Sequence, residues 1–176
     1  MCIRHLYISK VINASEDPSE YAFQSEFAAI FRNLLPKAYP DLRYRVLVEV
    51  KERNDEGKRR QRLDLLVRDG SSLPAYGFEL AVAAGPESFR KHCVRSEEYS
   101  KLHNCHVYMV NLCATPTLNN YFGKGYQNVT PVNVVIKNNG GTWNAEVRYS
   151  TGDIRNVVIK NPEWDMIFDS TLRDVV

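Results

Sequence analysis

The sequence predicts an α/β (α+β) fold in which two helices pack on one mixed central sheet. Two segments carry apolar residues at three- and four-residue steps, which indicates amphipathic helices. Several runs of branched and aromatic residues, separated by turn-forming residues, indicate strands. The chain has 176 residues, of which 44% are hydrophobic, so it can bury a core without disulfide or metal staples. We therefore expect a single domain spanning residues 1–176.

The first predicted helix has recognisable start and stop signals. Asp17 as the N-cap, Pro18 at the first helical position and Glu20 in the first turn indicate its beginning. Pro36 indicates an end at about Leu35, because proline cannot continue the helical hydrogen-bond ladder. We therefore expect one amphipathic helix between these two prolines.

The other predicted elements follow the order three strands, helix, strand and a C-terminal antiparallel strand meander. Residues 1–10 alternate weakly, which predicts an added edge strand. The nearly all-apolar run at 76–83 is typical of a central strand that is covered on both faces. The predicted boundaries are a second helix at 86–102 and strands at 42–50, 63–67, 76–83, 106–113, 132–138, 142–149 and 154–160.

Composition excludes several classes of protein. Glycine (9 residues) and proline (8 residues) are too few for a collagen-like or disordered chain. No apolar run approaches the roughly 20 residues of a membrane span, so no membrane partner is expected. The start MCIRHLYISK is interrupted by charges, so no signal peptide is expected. The four cysteines form no CxxC pair, which argues against a zinc site and favours a reducing compartment.

Three carboxylates lie in apolar surroundings: Glu26 at the edge of the first helix's apolar face, Asp64 within RLDLLV and Glu79 within GFELAV. An ionised carboxylate is rarely placed in such strands without a partner, because its desolvation is costly. A metal ion is a natural partner where such groups converge, and hard oxygen ligands favour Mg²⁺ or Mn²⁺. The alternative is that each carboxylate faces solvent or caps a neighbouring backbone group.

The element order and these carboxylates resemble the PD-(D/E)xK nuclease-like fold over residues 18–113. The resemblance implies a restriction-endonuclease-like αβββαβ core with a mixed central sheet, extended by the strand addition at 132–160. It also implies that Asp64 and Glu79 bind Mg²⁺ or Mn²⁺ and that Glu26 joins them as a third metal ligand and catalytic residue.

The chain departs from that family at one position. The family places a lysine two residues after the glutamate, where this sequence has Ala81. The charge-stabilising or general-base role of that lysine is therefore unfilled in the strand itself. Lys91, early in the second predicted helix, is the best substitute, and the alternative is that its side chain is simply solvated.

A second pattern lies in the same helix. His92, Arg95 and Tyr99 are spaced three and four residues apart, which places them along one side. Together with the preceding GFEL strand, this resembles the C-terminal nuclease-like domain of Crinkler-type effectors of fungi and oomycetes. The resemblance implies a secreted effector acting in the host nucleus or cytoplasm, with DNA and host nuclear proteins as partners. The family's N-terminal targeting header is not seen, so a header-less member or an effector domain is expected.

The same three residues have candidate chemical roles. Arg95 would hold a scissile phosphate as a bidentate fork, and His92 would assist proton transfer near neutral pH. Alternatively, His92 is a histidine at the edge of the core that bonds to a strand carbonyl. Tyr99 is expected to be a packing residue with a solvent-exposed hydroxyl.

The predicted hairpin at 51–62 concentrates positive charge beside Asp64. It carries six basic against three acidic residues, a net charge of +3, whereas residues 161–176 carry a net charge of −3. Such a tip can rest on a phosphate backbone and give salt-dependent affinity. The alternatives are a solvated loop and a nuclear-import signal at 58–62. The predicted DNA-binding residues are Lys58, Arg59, Arg60 and Arg62.

The leading prediction is a metal-dependent, DNA-binding nuclease-like effector domain that hydrolyses phosphodiesters with Mg²⁺-activated water. A second hypothesis is a catalytically inactive nuclease fold that binds DNA or a host protein, and Ala81 is its main support. A third is a self-associating domain that uses the strands at 132–160 as an exposed edge. The oligomeric state is left open by the sequence.

Overall fold

The computed structural model of the chain describes residues 5–6, 8–12, 19–51, 62–69, 74–113, 122 and 125–159. The helices in these residues are α1 (Ile8–Val11), α2 (Glu20–Ala38) and α3 (Pro86–His103). The strands are β1 (Arg45–Lys51), β2 (Arg62–Arg68), β3 (Ala75–Val82), β4 (Cys105–Cys113), β5 (Val129–Asn139), β6 (Thr142–Tyr149) and β7 (Ile154–Val158).

The seven strands form one mixed sheet in the spatial order β1-β2-β3-β4-β5-β6-β7. β1, β2 and β3 pair antiparallel, β3, β4 and β5 pair parallel, and β5, β6 and β7 pair antiparallel. The predicted mixed α/β architecture is therefore confirmed. The C-terminal meander continues the central sheet, because Val129–Val135 of β5 pair with Val107–Cys113 of β4.

One face of the sheet is covered by α1 and α2. The apolar side of α2, with Phe23 and Phe27, packs on Leu65, Leu80 and Val110 of β2, β3 and β4. The same cluster continues across β5 and β6, so it unites the N-terminal helices with both halves of the sheet. Such burial of apolar surface is the main favourable contribution to folding.

The opposite face is covered by α3. Phe89 and Cys93 of this helix pack on Leu66, Val107 and Met109. Side chains alternate between the two faces along a strand, so Phe78 and Leu80 point toward α2, whereas Glu79 and Ala81 point toward α3. This alternation places a carboxylate in the middle of the sheet, directly beneath α3.

The start of α2 differs from the predicted start. Its N-cap is Ser19, whose Oγ accepts a hydrogen bond from the Ala22 N–H. The predicted cap Asp17 and the adjacent Pro18 lie outside the described residues. A serine hydroxyl at this position satisfies one of the unpaired N–H groups of the first turn. The helix therefore begins at Glu20, the residue that was expected to lie in its first turn.

The end of α2 was predicted wrongly. The helix continues through Pro36 and ends at Ala38. Pro36 lacks the N–H that would bond to the Arg32 carbonyl, but only two helical residues follow it, so the disruption is confined to the end of the helix. The Tyr39 N–H then bonds to the Leu35 carbonyl and closes the helix.

The predicted edge strand at the N-terminus is also wrong where the structure describes it. Ile8–Val11 form a single helical turn, and Leu6, Ile8 and Val11 are buried in the cluster beneath α2. One turn brings residues three apart to the same side, which suits Ile8 and Val11. Tertiary packing against α2 outweighs the weak alternation of the sequence.

A buried amide fixes the connection between β3 and α3. The Asn111 side chain accepts a hydrogen bond from the Ala84 N–H at 3.0 Å and donates to the Ala84 carbonyl at 3.2 Å. It also donates to the Asn133 side chain at 3.1 Å, which lies opposite it in the β4–β5 register. The preceding Ala83 has a positive φ of 50°, an unfavourable conformation for alanine. Asn111 therefore holds the bend that leads into α3.

We predict that Asn111→Leu lowers the free energy of unfolding by about 2–4 kcal/mol, because it leaves the buried Ala84 N–H without its acceptor. The measurement is urea unfolding followed by circular dichroism. Asn156→Leu, on an exposed strand position, is the matched control and should change stability by less than about 0.5 kcal/mol. Equal effects of the two substitutions on the free energy of unfolding would contradict the role of Asn111 in holding the bend before α3.

Candidate active site

The site begins where β2 and β3 separate. Their pairing runs from Val67–Tyr76 to Leu65–Phe78 and does not extend to Asp64. The Asp64 Oδ2 instead accepts a hydrogen bond from the Leu80 N–H at 2.8 Å. The carboxylate thus takes the place of a ladder hydrogen bond and keeps the two strands apart.

The neighbouring strand β1 is distorted at the same level. Val48 pairs with Leu65 and Val50 with Leu63, but Glu49 between them is left out of the register opposite Asp64. Glu49 has a positive φ of 52°, which is uncommon outside glycine and indicates local strain. Irregular backbone therefore flanks Asp64 on both sides, and strand irregularities of this kind occur often beside functional sites.

Glu79 is the second carboxylate of the site and is only 1% exposed. Its Oε1 lies 2.9 Å from His92 Nδ1 and also accepts a hydrogen bond from Arg95 Nη2. Arg95 Nη2 and His92 Nδ1 lie 2.8 Å apart. The spacing of three residues on α3 brings these two side chains to the same oxygen. The sequence prediction that they share one side of the helix is confirmed.

Two buried polar atoms in this cluster have no hydrogen-bond partner among the described residues. They are Glu79 Oε2, an acceptor, and Arg95 Nε, a donor. Buried polar atoms nearly always have a hydrogen-bond partner. Glu79 and Arg95 are hydrogen-bonded to each other, so the remaining acceptor of one and the remaining donor of the other require an explanation. A ligand that presents a cation to one and an oxygen to the other would satisfy both.

The electrostatics of the cluster are set by burial. Burial, followed by the charge of Glu79, raises the pKa of Asp64 from 3.8 to about 7, although the Leu80 N–H opposes the shift. Burial acts to lower the pKa of Arg95, but attraction to the Glu79 carboxylate outweighs it and the pKa is raised. Arg95 is therefore a permanent cation, whereas Asp64 changes charge near neutral pH.

The predicted substitute for the missing lysine does not reach Glu79. Lys91 forms an ion pair with Glu87 at 2.9 Å, and its side chain is 68% exposed. Ala81 is buried in the apolar cluster beneath α3. The cation that contacts Glu79 is Arg95, which lies one helical turn after Lys91. Arg95 was predicted to bind the phosphate. Side chains four residues apart on a helix share a face, so sequence spacing alone could not choose between Lys91 and Arg95.

The residues of α2 that act on Asp64 are Glu20 and Gln24, whereas the predicted residue was Glu26. Gln24 donates through Nε2 to the Asp64 carbonyl at 3.3 Å, and the charge of Glu20 raises the pKa of Asp64. Glu26 is buried, but it has no hydrogen bond or ion pair to Asp64 or Glu79 among the described residues. Glu20 and Gln24 are four residues apart and share a face, whereas Glu26 points elsewhere around the helix. Gln24 was not among the predicted site residues, and its four-residue spacing from Glu20 is the sequence feature that could have indicated it.

Tyr99 extends the cluster to the base of the basic hairpin. Its hydroxyl accepts from the Arg62 N–H at 2.8 Å and donates to the Arg62 carbonyl at 2.9 Å. Burial, followed by the charge of Glu79, raises the pKa of Tyr99 to about 12. The expectation of a solvent-exposed hydroxyl is wrong, because Tyr99 is fully buried and fastens β2 to α3.

Of the predicted DNA-binding residues, the structure describes Arg62. Its side chain forms an ion pair with Glu49 at 2.7 Å. Lys58, Arg59 and Arg60 lie outside the described residues, as does the acidic segment at 161–176. The position of Arg62 places the base of the hairpin beside Asp64.

Of the four cysteines, the structure describes Cys93, Cys105 and Cys113, and all three are free and buried. Burial raises the pKa of Cys93 to about 12 and that of Cys105 and Cys113 to about 11.

In the described part of the chain, no three His, Cys, Asp or Glu side chains are grouped as metal ligands. The described helices include none with the length and hydropathy of a membrane span.

Comparisons with protein-family models, with curated proteins and with solved structures found no match to this chain. The chemistry of the site must therefore be inferred from its own geometry.

We predict that Asp64→Asn flattens the pH dependence of stability. A carboxyl whose pKa is raised on folding stabilises the protein below its unfolded pKa, and that contribution disappears as the pH rises through the folded value. The wild-type protein should therefore lose stability between pH 4 and pH 8 relative to Asp64→Asn, by up to about 4 kcal/mol. The measurement is urea unfolding in EDTA across this range.

The asparagine retains an oxygen that can accept the Leu80 N–H, so the strands should remain in place. Asp41→Asn, which removes an exposed carboxylate, is the matched control. A pH profile for Asp64→Asn that is as steep as that of the wild-type protein would contradict the burial argument.

Proposed function

We propose that the protein is a metal-dependent phosphodiester hydrolase of the PD-(D/E)xK nuclease-like type that acts on DNA. The observation that carries the proposal is the buried Glu79 carboxylate on β3, whose neighbour Leu80 donates its N–H to the Asp64 carboxylate at the point where β2 and β3 separate. Glu79 Oε2 and Arg95 Nε, for which the described part of the chain offers no hydrogen-bond partner, lie in the same cluster. Helix, three strands, helix and strand in the order α2-β1-β2-β3-α3-β4 support the resemblance to that fold.

The residues of the site fit a divalent cation. Asp64 and Glu79 offer hard oxygen ligands, and one buried oxygen of Glu79 has no partner among the described residues. Mg²⁺ retains several waters and is commonly held by one or two carboxylates together with substrate phosphate oxygens. Two carboxylates are therefore sufficient for Mg²⁺ or Mn²⁺, and Glu26 is not required as a third ligand.

The charges of the cluster favour the same ligand. With Asp64 ionised, two carboxylates and one guanidinium give the site a net charge of −1, which attracts a divalent cation. Binding the cation would make the site positive, so it would then attract a phosphodiester. A bound Mg²⁺ or Mn²⁺ supplies Lewis acidity and a lowered pKa for the attacking water.

The protein side chains have separate roles in this proposal. Arg95 orients Glu79 and offers its remaining N–H groups to the phosphate, whose developing charge it stabilises. Arg95 cannot act as a general base because it stays protonated. The candidate for proton transfer is His92, whose side chain is 19% exposed and whose Nδ1 lies within hydrogen-bond distance of Glu79 and Arg95. The lysine role of the family is thus divided between an arginine and a histidine of α3.

The proposed location and partners follow from the resemblance. As a Crinkler-type effector domain, the protein would act on DNA in the host nucleus, with host nuclear proteins as further partners. The basic hairpin, whose base is fixed by Arg62 and Tyr99, would contact the DNA backbone.

We predict that the wild-type protein nicks supercoiled plasmid with Mg²⁺ or Mn²⁺. Asp64→Asn and Glu79→Gln, which preserve side-chain volume, should each lower the rate by about a hundredfold or more, because each removes a charged metal ligand. The measurement is gel analysis of plasmid over time, with Mn²⁺ binding measured by calorimetry.

Asp41→Asn is the matched control and should retain the wild-type rate. Circular dichroism of each variant excludes loss of folding as the cause. Equal rates for the wild-type protein, Asp64→Asn and Glu79→Gln would refute hydrolysis at this site.

A catalytically inactive fold that binds DNA is the second candidate. Two observations favour it: Arg95 already neutralises Glu79, and Ala81 stands where the family has lysine. In that case the site holds α3 in place, and the hairpin binds DNA without cleavage.

For this candidate we predict DNA binding whose salt dependence falls when Arg59 and Arg60 are both replaced by alanine. Each lost phosphate contact should reduce the slope of log K against log salt by about 0.9. The measurement is fluorescence anisotropy of a labelled duplex from 50 to 200 mM salt.

The double variant Lys37→Ala/Arg43→Ala is the control, because these exposed residues lie at the other end of β1. An unchanged slope for the hairpin variant would show that the hairpin is not the contact.

A further inference from the structure

A groove lies between α2 and β1. In the strand order of the sheet, Asp64 on β2 lies between this groove at β1 and Glu79 on β3. Its volume is about 290 Å³, and it is lined by Tyr21, Gln24, Ser25, Val48 and Glu49. Pockets for drug-sized ligands start at about 300 Å³, so this groove suits one ring system better than a larger molecule.

The groove is joined to the candidate active site through two of its residues. Gln24 donates to the Asp64 carbonyl at 3.3 Å. Glu49 is the residue of β1 that lies opposite Asp64, between the pairs Val48–Leu65 and Val50–Leu63. A group held in the groove would therefore lie beside the Asp64 backbone, on the β1 side of that residue.

The walls of the groove are suited to a flat ring. On α2, Tyr21 is 75% exposed, a high value for a large aromatic side chain. On β1, Val48 is 38% exposed on the face toward α2. An exposed aromatic ring is a stacking surface that any nucleobase can use. The aliphatic side chain of Val48 offers an apolar contact from the facing wall.

The polar groups of the groove select a hydrogen-bond donor. The Glu49 carboxylate is an acceptor, and its ion pair with Arg62 fixes its orientation. The five lining residues include no Lys or Arg, and Arg62 beside them is already paired with Glu49, so the groove itself does not favour a phosphate. A carboxylate recognises an exocyclic amino group, such as N4 of cytosine.

We infer that this groove binds one unpaired nucleobase that carries an exocyclic amino group, next to the scissile phosphate. The inference rests on the proposed function, since it names the nucleic-acid feature that the same site recognises. The base must be unpaired, because its ring faces and its amino group would both be in contact with the protein. Single-stranded DNA or a base flipped from a duplex meets this requirement.

The test is the binding of labelled pentanucleotides, measured by fluorescence anisotropy in EDTA so that cleavage does not occur. Cytosine and uracil deoxy-oligonucleotides form the matched pair, because the two bases differ only at C4, which carries an amino group in cytosine and a carbonyl in uracil, and at N3, which is protonated in uracil. The wild-type protein should bind the cytosine oligonucleotide about five- to tenfold more tightly than the uracil one. Tyr21→Ala should weaken both by about five- to a hundredfold through loss of stacking.

Two further variants make the test specific. Tyr39→Ala removes an exposed tyrosine at the other end of α2 and should leave both affinities unchanged. Glu49→Ala should bring the cytosine-to-uracil affinity ratio to about one, even if release of Arg62 changes both affinities together. Equal binding by Tyr21→Ala and Tyr39→Ala, or equal binding of both oligonucleotides by the wild-type protein, would overturn the inference.

Calorimetry with Mn²⁺ separates this inference from the proposed function. Wild-type protein and Tyr21→Ala should bind Mn²⁺ with the same affinity, because Tyr21 is not a metal ligand. Mn²⁺ binding that depends on Asp64, combined with no effect of Tyr21→Ala on the oligonucleotides, would overturn the base site alone. Absence of Mn²⁺ binding would instead overturn the proposed hydrolase.

Discussion

The ionic hydrogen bond between the buried Glu79 carboxylate and Arg95 is the interaction on which the rest of the structure depends. A carboxylate in the middle of a sheet is tolerated only with compensating charge and hydrogen bonds, and removing one partner of such a pair is strongly destabilising. His92 and Arg95 supply that compensation from α3. The position of α3 over β3 is therefore fixed by electrostatics as well as by the apolar contacts of Phe89 and Cys93.

Two sets of hydrogen bonds made by buried side chains hold α3 in the position that brings His92 and Arg95 to Glu79. At its N-terminal end, Asn111 holds the backbone of Ala84 in the bend that precedes the helix. Toward its C-terminal end, Tyr99 holds both backbone groups of Arg62. These contacts are uncharged and do not change with pH near neutrality, whereas Asp64 does. A rigid frame thus surrounds one group that can gain or lose a proton, an arrangement that is common at functional sites.

Much of the fold was predictable because local patterns agree with the tertiary structure. The strand at 76–83 and the helix at 86–102 were placed within a residue or so, since apolar periodicity and the Gly85-Pro86 break point to the same boundaries. Ile8–Val11 was mispredicted because contacts with α2 outweigh its weak alternation. The end of α2 was mispredicted because Pro36 lies only two residues before the end of the helix, so it does not interrupt the turns that precede it.

The sequence by itself determined that Asp64 and Glu79 lie in apolar strands and that such carboxylates need partners, because strand periodicity and desolvation are local properties. Only the tertiary structure decided which partners they have. Arg95 rather than Lys91 reaches the Glu79 carboxylate, and Gln24 rather than Glu26 reaches Asp64, at its backbone carbonyl. These pairs depend on the rotation of each helix about its own axis and on its height above the sheet. Both are set by the packing of the whole core, which no short stretch of sequence encodes.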